Sequence, residues 1–162
     1  MNNKKIVICI PTFKRPIYLK NNLDSLKKQQ FKSSFEIVVV DNDINKTSEN
    51  IVNEFNHENI KASYYVESNR GISSVRNRCI EICKIKQADY MIFIDDDEIA
   101  EPEWLSNLFI IEKKYNAKIV IGPVLCKFES EPSSIIKNIF FNRSRNPNGT
   151  IIKNAATGNV LL

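Results

Sequence analysis

The 162-residue sequence predicts an α/β fold: a mostly parallel central sheet flanked by helices on both faces, a three-layer sandwich. Short β-branched runs alternate along the chain with amphipathic helical stretches, the order that parallel pairing requires. The runs are continuously apolar, as strands buried on both faces are. Most of them stop at polar or charged residues, and an open sheet of this kind takes its ligands outside the carboxyl ends of its strands.

Each element has its own reason. "KKIVICIPTF" is a continuous β-branched run ended by Pro11, and "FEIVVVDND" is a second ended by Asp41, Asn42 and Asp43. Between them, "PIYLKNNLDSLKKQQ" places Leu19, Leu23 and Leu26 on one helical face. "TSENIVNEF" reads as a helix capped by Thr47 or Ser48, "KASYYVES" as a strand, "SSVRNRCIEICKIK" as a helix and "YMIFID" as a strand. Glu101, Pro102 and Glu103 predict a helix start, with proline in the first turn and acids at the positive end of the dipole, followed by Trp104, Leu105 and Leu108. "AKIVIGPVLCKF" predicts a fifth strand. Residues 129–149 read as a long loop or small separate element with a turn at "NPNG", and "ATGNVLL" as the start of another strand. A chain that stops on the apolar residues of an unfinished unit is expected to be a piece of a longer protein.

With 43% hydrophobic and 26% charged residues the composition is that of one globular domain. The net charge of +4 is spread among interleaved acids and bases with no long run of like charge, so no nucleic-acid partner is expected. The apolar runs are too short to cross a bilayer and no signal core follows Met1, which makes a cytoplasmic protein the expectation. All four cysteines, Cys9, Cys79, Cys83 and Cys126, read as reduced, buried small hydrophobes. His57 is the only histidine and no CxxC pair occurs, so a zinc site has little support.

The strand ends gather one kind of chemistry. Thr12, Lys14 and Arg15 follow the first strand, Asp41 and Asp43 the second, Asn69, Arg70 and Gly71 the third, and Asp95, Asp96, Asp97 and Glu98 the fourth. Arg76 and Arg78 follow on the next helix, about 200° apart, so only one of them faces a given ligand. Carboxylates beside arginines suit a ligand with phosphates and a divalent cation, which a nucleoside diphosphate supplies. The four glycines, Gly71, Gly122, Gly149 and Gly158, form neither a GxGxxG fingerprint nor a Walker loop, which argues against a dehydrogenase or a P-loop ATPase. No GxSxG elbow occurs.

Four blocks together, "ICIPTFKRPIYLKNNLDSL", "EIVVVDN", "ESNRGISSVRNRCIE" and "IFIDDDEIAEPEWL", resemble a family 2 glycosyltransferase of the GT-A (Rossmann-like) fold, and "IGPV" and "ATGN" are also similar. The resemblance implies transfer of a sugar from a UDP- or GDP-sugar to a saccharide or lipid-linked acceptor, usually with inversion, in surface polysaccharide or glycoconjugate synthesis. It implies one domain over 1–162, incomplete at its C-terminal end, with 1–128 binding the nucleotide sugar and 129–162 beginning the acceptor side.

Carried over to this sequence, Pro11 and Thr12 line the nucleoside pocket with Arg15 close by, and Asp41 bonds the base or ribose. Thr12 and Asp41 are also what a strand-ending turn and a helix cap require. Arg70 and Arg76 lie near base and diphosphate, Asn69 and Gly71 shape their loop, and Arg78 is a surface residue. The DxD motif falls on Asp95-Asp96-Asp97: Asp97 coordinates Mn²⁺ or Mg²⁺, Asp95 touches ribose or metal-bound water, and Asp96, counted with the nucleotide-binding set, points away to solvent. Glu98 is open between a supporting role and a sugar contact. Gly158 and Asn159 either contact the donor sugar or form a turn, and Trp104 either packs its helix onto the sheet or offers an acceptor platform. Ile135 to Phe141, with Lys137, Arg143 and Arg145, reads as a buried loop or a peripheral membrane patch. The catalytic base is expected beyond Leu162. Two other readings are open to the sequence, a sugar nucleotidyltransferase and a non-catalytic nucleotide-sugar-binding module. The first normally has a glycine-rich loop where this chain has "IPTFKRP".

Overall fold

A computed structural model describes residues 4–55, 58–128, 130–135 and 146–162. In chain order the elements are β1 (Ile6–Thr12), α1 (Pro16–Leu26), β2 (Phe35–Asp41), α2 (Glu49–Asn53), β3 (Ile60–Val66), α3 (Ile72–Ile85), β4 (Tyr90–Phe93), α4 (Trp104–Tyr115), β5 (Val120–Ile121) and β6 (Val160–Leu161). They form one six-stranded sheet in the order β3-β2-β1-β4-β6-β5. The β3-β2-β1-β4 half is parallel, with Cys9 of β1 in register with Val38 of β2 and Phe93 of β4. β6 runs antiparallel to both β4 and β5, so the sheet is mixed.

The uninterrupted apolar runs follow from two-sided burial. Ile6, Ile8 and Ile10 of β1 join Ile37 and Val39 of β2 under Leu19, Leu23 and Leu26 of α1 and Leu105, Leu108 and Phe109 of α4. The alternate residues Val7, Cys9, Val38 and Val40 face α3, which contributes Val75, Cys79, Ile82 and Cys83. Side chains alternate along a strand, so residues Ile6 to Ile10 of β1 fall by turns into one layer or the other, and the whole strand is buried.

Some boundaries differ from expectation. The fifth strand shrinks to Val120–Ile121, because Pro123 has no N–H to donate and the paired stretch of β6 is equally short. α4 begins at Trp104, so Glu101, Pro102 and Glu103 form the turn before it, with the Trp104 N–H donating to the Glu101 carbonyl at 2.9 Å. Ser48 stands at the N-cap of α2 without a side-chain cap bond, while the Thr47 hydroxyl donates to Asp43 at 2.9 Å. Cys9, Cys79 and Cys83 are buried as expected, but Cys126 is exposed because its run stays out of the sheet. His57 and nearly all of the basic stretch from Ile135 to Arg145 lie outside the described residues. Among the described residues, no helix is long and apolar enough to cross a membrane.

Candidate functional site

The sheet order places the site. β2 and β3 lie on one side of β1 and β4 lies on the other, so the order reverses between β1 and β4 and a crevice opens at their carboxyl ends. A cavity of about 520 Å³ occupies that crevice. Pro11, Thr12, Phe13 and Arg15 line it from the end of β1, Asn42 from the end of β2, and Asp95, Asp96 and Asp97 from the turn after β4. Arg70, Gly71, Ile72, Val75 and Arg76 close it from the start of α3.

Local backbone aims these groups. Lys14 takes a left-handed φ of 54°, which turns the chain sharply after Phe13 and brings Arg15 to the N-cap of α1. Gly71, with φ of 124°, caps α3 in a conformation closed to other residues, although a Cβ there would meet nothing within 4 Å. Asn42 ties this loop down: its amide donates to the carbonyls of Glu67 and Asn69 at 2.8 Å each, and its oxygen accepts the Gly71 N–H at 2.9 Å.

The acidic run is divided among different partners. Asp95 accepts from Arg76 Nη2 at 3.0 Å. Asp96 accepts from the Thr12 hydroxyl at 2.7 Å and is only 5% exposed, with Arg15 Nη1 at 3.4 Å. The expected solvent-facing role of Asp96 is therefore corrected. The turn directs Asp96 inward, into the floor of the cavity, and burial pushes its carboxyl up against the opposing pull of Thr12 and Arg15. Asp97 is the outward carboxylate, its side chain 49% exposed, and accepts from Arg15 Nη1 at 2.9 Å. Glu98 turns back, accepting the Asp95 N–H at 3.2 Å; burial and the charges of Asp95 and Asp97 raise its carboxyl to about 7.

The turn is latched from two sides. Asn22, fully buried on α1, donates to the carbonyls of Asp95 at 3.1 Å and Glu98 at 2.8 Å. One turn on, the Ser25 hydroxyl accepts the Ala100 N–H at 3.0 Å. From the other side Gly158 packs so closely that an added Cβ would lie 3.0 Å from Asp95 Oδ2 and 3.1 Å from Glu98 Oε1. Asn159 beside it is held by the Trp104 indole N–H at 2.9 Å and donates to the Pro123 carbonyl at 3.1 Å, so Trp104 packs and Asn159 braces.

Of the predicted residues, Pro11, Thr12, Arg15, Arg70, Arg76, Asp95, Asp96 and Asp97 come together around the cavity. Asp41 does not. It is fully buried, with Oδ1 accepting the Asp43 N–H at 2.9 Å and Oδ2 the Tyr64 hydroxyl at 2.8 Å, which corrects its assignment to base or ribose. Asn69 is exposed and acts through its backbone, accepting from Asn42 and donating to Glu67 at 2.7 Å. Arg78 pairs with Glu81 on its own helix at 3.0 Å, away from the cavity lining. The sequence reading passed over Phe13, Asn42 and Asn22. Asn42 is signalled by its place as the first polar residue past the carboxyl end of β2, where an open sheet takes its ligands. Asn22 is signalled by its place on the leucine face of α1.

The donor set suits a hard divalent cation only in part. The ligands are carboxylate oxygens, which match Mg²⁺ and Mn²⁺, but no group of three or more His, Cys, Asp or Glu among the described residues is arranged to hold an ion alone. Asp97, outward-facing at the cavity, fits the arrangement in which one carboxylate shares the ion with phosphate oxygens and water.

Residues 7–160 match the family model "Glycosyl transferase family 2". The chain belongs to this family. Among family relatives, it is 27% identical over 139 residues to poly(ribitol-phosphate) beta-N-acetylglucosaminyltransferase TarP of Staphylococcus aureus strain N315, covering 85% of this chain and 41% of TarP. The structure of S. aureus TarS residues 1–349 in complex with UDP-GlcNAc superposes with a TM-score of 0.57 at 25% identity, covering 82% of this chain and 38% of that one. Mannosyltransferase PcManGT from Pyrobaculum calidifontis, in complex with GDP-Man and Mn²⁺, shares the fold at a TM-score of 0.56 and 17% identity, over 64% of this chain and 31% of that one. The chain thus spans less than half the length of these relatives. Its mostly parallel six-stranded sheet is the GT-A arrangement of the family.

Proposed function

We propose that this family 2 glycosyltransferase transfers a sugar from a nucleoside-diphosphate sugar to an acceptor hydroxyl, with inversion at the anomeric carbon. One observation carries the reading: three arginines and three aspartates line a single open cavity at the point where strand order reverses. Phe13, 43% exposed, offers an aromatic face to a base beside Pro11 and Thr12, and Arg70 lines the same cavity. Arg76 and Arg15 supply guanidinium donors to the diphosphate, whose oxygens their geometry matches. Asp95 faces the ribose side. Asp97 would hold Mn²⁺ or Mg²⁺, an ion whose Lewis acidity neutralises charge on the leaving diphosphate. The base that takes the acceptor proton is assigned to no described residue, and the reading takes 1–128 as the nucleotide-sugar part with 129–162 opening the acceptor side.

The nucleotide sugars bound by TarS and PcManGT support this reading of the donor. The poly(ribitol-phosphate) in the name of TarP supports a hydroxyl-bearing polymer as acceptor; a saccharide or lipid-linked acceptor in surface polysaccharide synthesis, at the cytoplasmic side of a membrane, completes the proposal. A thermal-shift screen of UDP- and GDP-sugars, with and without Mn²⁺, tests the proposal. Stabilisation by at least one nucleotide sugar, increased by Mn²⁺, is expected; a fold that no nucleotide stabilises ends the donor-site reading.

A further inference from the structure

Arg15 already occupies the carboxylate that the cation reading needs. Its Nη1 lies 2.9 Å from Asp97 Oδ2 and 3.4 Å from Asp96 Oδ1, and both contacts leave from that one nitrogen. Its backbone is fixed between the left-handed Lys14 and Pro16 at the first turn of α1, whereas its side chain is 52% exposed. The two carboxylates are held very differently. Asp96 has 7% side-chain exposure and a buried bond to Thr12, and Asp97 is open to water with Arg15 at 2.9 Å. An exposed pair of this kind exchanges readily, while the buried one stays in place.

With Arg70 of the same lining, three guanidiniums stand near Asp95, Asp96 and Asp97, so the charges around the cavity are close to balanced without a metal. Asp95, Asp96 and Asp97 face Arg76 and Arg15, and a dication placed on Asp97 with Arg15 still bound would stand within a few ångströms of a guanidinium. We propose that Arg15 is a displaceable internal cation that couples metal binding to nucleotide binding. It neutralises Asp97 in the free protein, then releases that carboxylate to a divalent cation and turns its fork onto the arriving diphosphate. This rests on the reading of Asp97 as the metal carboxylate. By linkage, the factor by which nucleotide tightens the cation is the factor by which the cation tightens nucleotide.

The test uses the full chain, with free Mn²⁺ followed by electron paramagnetic resonance and UDP or GDP as the nucleotide. In the unaltered protein Mn²⁺ alone binds weakly, and UDP or GDP tightens it about tenfold or more. Arg15→Gln tightens Mn²⁺ alone about threefold or more and shrinks the coupling. Arg15→Lys, which keeps the charge without the fork, leaves Mn²⁺ alone weak but also reduces the coupling. Unchanged Mn²⁺ affinity and coupling in Arg15→Gln overturns the proposal while the Asp97 reading stands. Absence of any metal-dependent nucleotide binding in the unaltered protein overturns the Asp97 reading itself, and Arg15 coupling with it.

Discussion

Asp96 and Asp97 are neighbours with opposite exposures, and that difference separates structure from ligand binding. Asp97→Ala removes an outward carboxylate, so stability should hardly change while Mn²⁺-dependent stabilisation by nucleotide disappears in a thermal-shift assay. Asp96→Ala leaves the Thr12 hydroxyl without its acceptor in a buried place, and an unfolding midpoint in urea should report a loss of about 1–3 kcal/mol. Equal effects of the two changes on nucleotide binding and on stability would undo this division. Asp41 makes the same point from the other side. Tyr64→Phe strips a donor from the buried Asp41 carboxylate and should cost about 1–3 kcal/mol, with nucleotide affinity unchanged by titration calorimetry. A large loss of affinity at unchanged stability would return Asp41 to the binding site. In the folded protein, burial and the Asp41 bond together push the Tyr64 hydroxyl upward, so it stays a donor.

At the scale of elements, α1 does two jobs with one face. Leu19, Leu23 and Leu26 bury against the sheet, while Asn22 and Ser25 hold the turn between β4 and α4. Gln29 extends the latch, its amide donating to the Glu101 carbonyl at 2.8 Å and its oxygen accepting the Leu105 N–H at 3.0 Å. Asn22→Leu keeps the volume but leaves two carbonyls of the acidic turn unpaired. Hydrogen exchange should then accelerate at the amides of residues 95–100, with about 1–3 kcal/mol lost globally. Unaltered exchange in that turn would show that the latch carries no energy. Gly158→Ala presses the same turn from the β6 side, where its Cβ meets the Asp95 and Glu98 carboxylates.

For the molecule as a whole, the ends of the parallel sheet are tied by charge as well as by packing. Lys86, which caps α3, donates to Glu36 of β2 at 2.7 Å. That bond holds the Glu36 carboxyl below its usual range, against partial burial, and raises the Lys86 ammonium. The depressed carboxyl contributes stability that is present above its unfolded value of about 4.3 and lost as pH falls through the folded value. The raised ammonium contributes below about 10.4 and loses its contribution as pH rises through its own folded value. Solvent screening keeps the pair under about 1 kcal/mol. Lys86→Met should therefore flatten the acid limb of stability, read as urea midpoints between about pH 3 and pH 7; an unchanged limb would remove this pair from the acid response.

The sequence by itself determined the order of strands and helices, the two-sided burial of β1 and β2, and the gathering of arginines and aspartates at strand ends. These depend on hydrophobic period and chain order, which are local properties. The family blocks added the donor-site chemistry, also carried by short segments. Only the tertiary structure decided which carboxylate of the run turns inward, because Asp96 depends on Thr12 and Asp97 on Arg15, more than 80 positions away in each case. It also decided that Asp41 belongs to Tyr64 rather than to a ligand, that Asn22 reaches across to the acidic turn, and that the last strands pair antiparallel at one edge. Burial and partnership are properties of packed neighbours, and no spacing along the chain encodes which neighbour a polar side chain will meet.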